Sequence, residues 1–244
     1  SAIYASLNWK HGDIHDFLEA KDWAKMFVGS TGKTLWDIKQ EDFNFPAPLD
    51  MTNISVNYDT EWLLNYYNTG EVGEVFMKNV RQAMQSAEPG FSFNFFDKEN
   101  ETLRNACAEV TSFDDSDVCN LASINLGRVD NLSEFESIVT LGTKFLLCGT
   151  MSSHLPYTKV YSTRNKNRRL GLGLMGMHEW LIQRNYKYEV TPELHQWLSV
   201  YRGASDTASR DTADRLSITR PVANRAIAPT GSIGILAGTS TGVE

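Results

Sequence analysis

The chain has 244 residues, 41% hydrophobic and 22% charged, which matches an ordinary globular protein and excludes a disordered or fibrous one. Acidic side chains (30) outnumber basic ones (23) for a net charge of −7, so direct nucleic-acid binding, which needs a basic face to displace counterions, is not expected. No apolar run approaches the ~18 residues of a membrane span, no leader-like segment opens the chain, and three cysteines are too few for a disulfide framework, so a reducing, cytoplasmic setting is expected.

Residues 2–9 alternate Ile3, Leu7 and Trp9 with smaller or polar residues and predict a strand. His11, Gly12 and Asp13 make a turn, and helical spacing then predicts a helix over 14–27. Residues 29–51, punctuated by Gly29, Gly32, Pro46 and Pro48, read as a long irregular connection. A short strand at 53–57 precedes a helix over 61–68, capped by Asp59 or Thr60 and stopped by Gly70. A helix over 72–86 carries Val72, Val75, Phe76, Val80 and Met84 on one side, and Pro89 and Gly90 break it before a strand at 91–96. After a polar, acidic stretch the spacing predicts a strand over 118–126 and a helix over 132–151, with Phe135, Ile138, Leu141, Phe145 and Leu146 inward. A basic run at 163–169 leads to 170–176, then to helices over 177–184 and from Pro192 to about Leu216. A strand at 223–228, a turn and the first turns of a helix close the chain. This near-continuous alternation predicts a largely parallel α/β architecture. No linker divides residues 1–244, which read as one domain or part of one; a start at Ser1 without Met and a stop at Glu244 read as ends inside a longer polypeptide.

Two glycine motifs tempt and fail. Gly171, Gly173 and Gly176 satisfy G-x-G-x-x-G, but a dinucleotide turn needs an apolar strand directly before it, and here Arg164, Lys166, Arg168 and Arg169 precede. The glycines are expected within a strand, letting neighbouring backbone or a ligand come close. Residues 29–34 end like a phosphate loop, yet Phe27 stands where the first glycine is required, so a surface loop is expected. His11 and His15 lie four apart without an HExxH or paired CxxC, and no metal site is assigned.

The informative stretch is Asn105, Cys107 and Glu109. In an extended loop, period-two alternation would project amide, thiol and carboxylate to one side. A carboxylate beside a thiol raises the thiol pKa, which suits a neutral S–H next to a base and not a thiolate. Cys119 follows 12 residues later, close enough in sequence for the chain to fold back; small buried hydrophobes are the alternative reading of both cysteines. Thr230, Gly231, Ser232 and Ile233 join a strand to a helix, where backbone N–H groups and hydroxyls could receive a phosphate or simply cap the helix.

Together the segments SAIYASLNWKHGDIHDFLEAK, TNISVN, AEPGFSF, NACAE, VCNLASINL, RRLGLGLMG and APTGSIGILAGTSTGVE resemble, in order, the catalytic (large) subunit of ribonucleotide reductase. The resemblance implies part of a ten-stranded α/β barrel, with a radical cysteine, matching Cys107, on an inner finger loop. It implies that a Cys107 thiyl radical abstracts the ribose 3′ hydrogen, that Glu109 is the general base for the 3′-hydroxyl, and that Asn105 hydrogen-bonds the ribose hydroxyls. Cys119 matches one of two cysteines that supply electrons as the 2′-hydroxyl leaves as water, and Thr230, Gly231, Ser232 and Ile233 match the site for the substrate's phosphates. Cys148 matches nothing and is expected to pack inside an apolar helix. The implied partners are a ribonucleoside di- or triphosphate, the remaining parts of the catalytic subunit, and a thioredoxin- or glutaredoxin-like donor. The implied radical source is adenosylcobalamin, towards which the small alanines of NACAE lean as in cobalamin-dependent and phage-type members, or a metal-containing small subunit. A non-catalytic nucleotide-binding or assembly module derived from that subunit is the rival reading.

Overall fold

A computed structural model describes residues 2–29 and 31–244; Ser1, at the head of the first predicted strand, and Ser30, within the glycine loop at 29–34, lie outside the described residues. The chain packs as two compact units that divide between Phe113 and Asp114.

The first unit is built on a parallel sheet of β1 (Ile3–Asn8), β2 (Thr52–Tyr58) and β3 (Gly90–Phe93), with β2 in the centre. Between β1 and β2 lie α1 (Ile14–Glu19) and α2 (Leu35–Glu41), and between β2 and β3 lie α3 (Thr60–Thr69) and α4 (Glu74–Ser86). The helix predicted over 14–27 is broken: α1 ends at Glu19 and only a 3-10 turn at Trp23–Lys25 follows. Lys21 turns inward to donate to the Thr52 carbonyl at 2.8 Å and to pair with Glu88, and these tertiary contacts outweigh continued helix. The stretch expected to be irregular contains α2, started by a reciprocal cap in which Thr34 Oγ1 accepts from Asp37 N–H and the Asp37 carboxylate accepts from Thr34 N–H. Asp59 caps α3 by accepting from Trp62 N–H at 3.1 Å, and Gly70 ends it in the left-handed region. Ile14, Leu18, Val56, Tyr58 and Trp62 form the core of this unit; Val75 and Phe76 pack against it, whereas Met84 is exposed. A small antiparallel hairpin follows, β4 (Leu103–Arg104) against β5 (Thr111–Ser112).

In the second unit β6 (Asn120–Asn125) pairs in parallel with β7 (Leu170–Met175), which is buried along its whole length. Around them lie α5 (Leu132–Ser152), α6 (Thr158–Asn167), α7 (Met177–Gln183), α8 (Pro192–Arg215) and α9 (Gly231–Ala237). Proline at the first position starts α8, with Thr191 Oγ1 accepting from Leu194 N–H at 3.1 Å. Phe135, Leu172, Trp180 and Trp197 anchor the core. Leu141 and Phe145 of α5, expected inward, are 68% and 74% exposed, and Cys148, expected to pack, is exposed on the same side. The helix buries Phe135 and Leu146 as expected, with Ile138 packed against the core, but adds Val139, Thr143, Leu147 and Thr150, so the buried stripe is rotated away from Leu141 and Phe145. α5 is apolar on more than one side, so periodicity alone does not choose its buried face.

The basic run meets specific partners within this unit. The Arg164 guanidinium, 6% exposed, donates to the carbonyls of Thr150, Met151 and Ser153 at 3.1–3.3 Å and so serves the last turn of α5, whose carbonyls have no intrahelical donor. Lys166 and Arg169 pair with Asp114 and Asp117.

Candidate active site

Residues 105–110 form the loop of the β4–β5 hairpin. The loop is not extended. Ala108 N–H donates to the Asn105 carbonyl at 3.0 Å, closing a turn with Cys107 near its tip, and Ala108 takes the left-handed conformation at φ 67°. The alternation argument for Asn105, Cys107 and Glu109 therefore does not describe this loop, because a turn redirects side chains that a strand would align. Asn105 Oδ1 accepts from Val110 N–H at 3.1 Å, so its amide NH2 is the group left to meet a hydroxyl. Cys107 is exposed, whereas Glu109 is half-buried, with one carboxylate oxygen, Oε2, shielded from solvent and without a hydrogen-bond partner. Partial burial and then the charge of Glu109 push the Cys107 thiol up from its ordinary value, which keeps it protonated. A neutral thiol beside an unsatisfied carboxylate can give up a hydrogen atom and accept a proton without interference between the two.

Two side chains that the motif reading did not single out hold this loop. Asn53 of β2 donates to the carbonyl of Ala106, and Arg104 donates to that of Ala108 at 3.1 Å. No spacing rule marks either residue, since the contacts depend on how the hairpin lies on its own sheet.

In the second unit Cys119 is half-buried just before β6. A methyl group added to Gly171 would come within 3.0 Å of Cys119 Sγ and clash with Leu121 Cδ2, and one on Gly173 would come within 2.6 Å of the Ala226 carbonyl. Gly176 is similarly crowded by Asn125 and Thr239. Gly171 and Gly173 lie within β7 as expected, whereas Gly176 falls just past it and opens α7 in the left-handed region; all three serve close packing of protein on protein, and that space is not open to a dinucleotide.

The segment expected as a strand at 223–228 forms only an isolated bridge to β7, from Arg225 to Leu172, with Ala226 N–H donating to the Leu172 carbonyl at 3.1 Å. It leads to Thr230, the residue before α9, whose buried hydroxyl accepts from Gly242 N–H at 2.7 Å. That hydroxyl is thus committed within the chain. Gly231, Ser232 and Ile233 are exposed in the first turn of α9, where backbone N–H groups lack intrahelical acceptors. His11 Nδ1 accepts from Asp13 N–H in its own turn, and among the described residues no three His, Cys, Asp or Glu side chains converge as a metal site would need.

The parallel α/β sheets and the cysteine-bearing hairpin share the fold of solved ribonucleotide reductase subunits. The chain superposes on the Actinobacillus ureae class Id ribonucleotide reductase alpha subunit with a TM-score of 0.73 at 19% identity, covering 99% of this chain and 48% of that one. A B-12 dependent (class II) ribonucleotide reductase matches with a TM-score of 0.63 at 17% identity, over 98% of this chain and 34% of that one. Residues 55–195, more than half of the chain, match the family described as ribonucleotide reductase, barrel domain, and the chain belongs to that family. Among relatives, a putative adenosylcobalamin-dependent ribonucleoside-triphosphate reductase of Mycobacterium phage D29 is 29% identical over 66% of this chain and 25% of its own length. The vitamin B12-dependent ribonucleoside-diphosphate reductase of Thermoplasma acidophilum is 25% identical over 98% of this chain and 34% of its own length. This chain therefore spans about a quarter to a third of these relatives.

Proposed function

We propose that the chain is the central part of a catalytic barrel, with no functional boundary within 1–244, and that as part of a larger subunit it reduces ribonucleotides to deoxyribonucleotides. The observation that carries this reading is the exposed Cys107 thiol, pushed up by partial burial and by the nearby Glu109, whose buried Oε2 has no partner. Cys107, as a thiyl radical, takes the ribose 3′ hydrogen and later returns it. Glu109 accepts the 3′-hydroxyl proton, and its unsatisfied oxygen is the acceptor for that hydrogen bond. The Asn105 amide donates to a ribose hydroxyl. Cys119 is one of the two thiols that are oxidised as the 2′-hydroxyl departs as water, and the first turn of α9, at Gly231, Ser232 and Ile233 after Thr230, receives the phosphates.

The residue of this chain that would meet a radical source is Cys107, and the names of two relatives, adenosylcobalamin-dependent and vitamin B12-dependent, support adenosylcobalamin in that role over a metal-bearing small subunit. When bound, that group supplies the one-electron oxidation that converts the thiol to its radical. Electrons return through a thioredoxin- or glutaredoxin-like donor, in the cytoplasm; among the described residues no helix is long and apolar enough to cross a membrane.

Cys107→Ser in the assembled enzyme should abolish turnover, at least a ~10³-fold loss, while substrate affinity measured by equilibrium binding changes little. Retained turnover overturns the assignment, and substrate binding without turnover by the unsubstituted enzyme points to the non-catalytic module.

A further inference from the structure

The Cys107 loop is gripped on both sides of the cysteine, and the grip reaches the parallel sheet of its own unit. Arg104 makes three hydrogen bonds there, one from each guanidinium nitrogen. Nη1 donates to the Ala108 carbonyl at 3.1 Å, Nε to Ser92 Oγ at 2.8 Å and Nη2 to Asn94 Oδ1 at 3.0 Å. Ser92 and Asn94 are 2% and 4% exposed, bond to each other at 3.0 Å, and Asn94 N–H is tied to the Tyr58 carbonyl at the end of β2. On the other side Asn53, from the body of β2, donates to the Ala106 carbonyl. The two residues adjacent to Cys107, Ala106 and left-handed Ala108, thus have their carbonyls fixed to rigid elements, with Cys107 held between them.

We propose that Arg104 and Asn53 are positioning residues that clamp the carbonyls flanking Cys107, and so hold the Cys107 sulfur in register with the Glu109 carboxylate. Neither touches the reacting atoms. Arg suits the role because its planar fork serves three fixed acceptors at once, which a lysine ammonium on a flexible stem does not. The inference rests on the reading of Cys107 and Glu109 as the reacting pair.

The test is the electrostatic coupling of that pair, read without turnover. In the assembled enzyme, the rate of Cys107 alkylation by iodoacetamide is followed against pH by site-resolved mass spectrometry, with and without Glu109→Gln. With the clamp intact, Glu109→Gln accelerates alkylation at pH 8 severalfold, since removing the like charge beside the thiol raises its thiolate fraction. In an Arg104→Gln or Asn53→Ala background the acceleration should fall below about twofold, because the loop no longer holds sulfur and carboxylate together. If both backgrounds keep the full effect, the clamp is overturned. If Arg104→Lys restores it, charge alone suffices and the clamp is likewise overturned. Should Arg104→Gln fail to fold, Asn53→Ala, at an exposed strand position, carries the test alone. A Cys107→Ser enzyme that still turns over defeats the functional reading, whereas the alkylation coupling answers for the clamp separately.

Discussion

At Cys107 two effects act in the same direction. Partial burial disfavours the thiolate, and the Glu109 carboxylate adds a like charge beside it. A raised thiol pKa means that the S–H persists through neutral pH and ionises only above the range of an ordinary cysteine, so Cys107 should react with iodoacetamide at pH 8 more slowly than glutathione does. Comparable rates would show that the loop does not hold the two groups as described. The presence of this pair was legible in NACAE, because thiol and carboxylate stand two positions apart in one short run. The direction in which each side chain points was not legible, since it follows from the turn at 105–108 and from the donors Asn53 and Arg104.

Elements depend on contacts that span tens of residues. Arg164 satisfies the end of α5 from α6, and Arg164→Ala should lower stability by about 1–3 kcal/mol, read as a reduced urea midpoint, because several carbonyls lose their donor at a buried site. Gly173→Ala places a methyl group 2.6 Å from the Ala226 carbonyl. The neighbour is backbone, so the segment at 223–226 must move off β7, at about 1–3 kcal/mol. Substrate affinity in the assembled enzyme should fall with it, because this segment delivers the turn before α9; unchanged affinity would separate that turn from phosphate binding. Lys166, and next Asn167, hold the Asp114 carboxyl below its ordinary value. A depressed carboxylate pKa contributes stability that is complete above the unfolded value, about pH 4, and is lost as pH falls through the folded value. Asp114→Asn should therefore flatten the dependence of Tm on pH below about 4.

The molecule as a whole leaves much apolar surface uncovered. Leu141 and Phe145 on α5, Ile235 and Leu236 on α9, and Met84 on α4 are each at least 68% exposed. A chain that spans a quarter to a third of its relatives, with such surface and with sheets of two and three strands, should bind a hydrophobic dye and self-associate when purified alone. A monodisperse 244-residue monomer that reduces nucleotides without added protein would contradict this.

What the sequence determined by itself was local. Caps and breakers such as Asp59, Gly70 and Pro192 act within a few residues, so they mark helix ends before anything packs, and the Thr34–Asp37 box that starts α2 belongs to the same kind even though composition alone disguised it as loop. The motifs of the reductase barrel are legible for the same reason, being short runs in which chemistry and backbone geometry coincide. Tertiary structure decided the rest: which stripe of the broadly apolar α5 is buried, why α1 stops at Glu19, where the basic run at 163–169 finds its acidic partners, and how the Cys107 loop is held. Each of these is decided by contacts between residues distant in the chain, which a local preference of a few tenths of a kcal/mol does not determine.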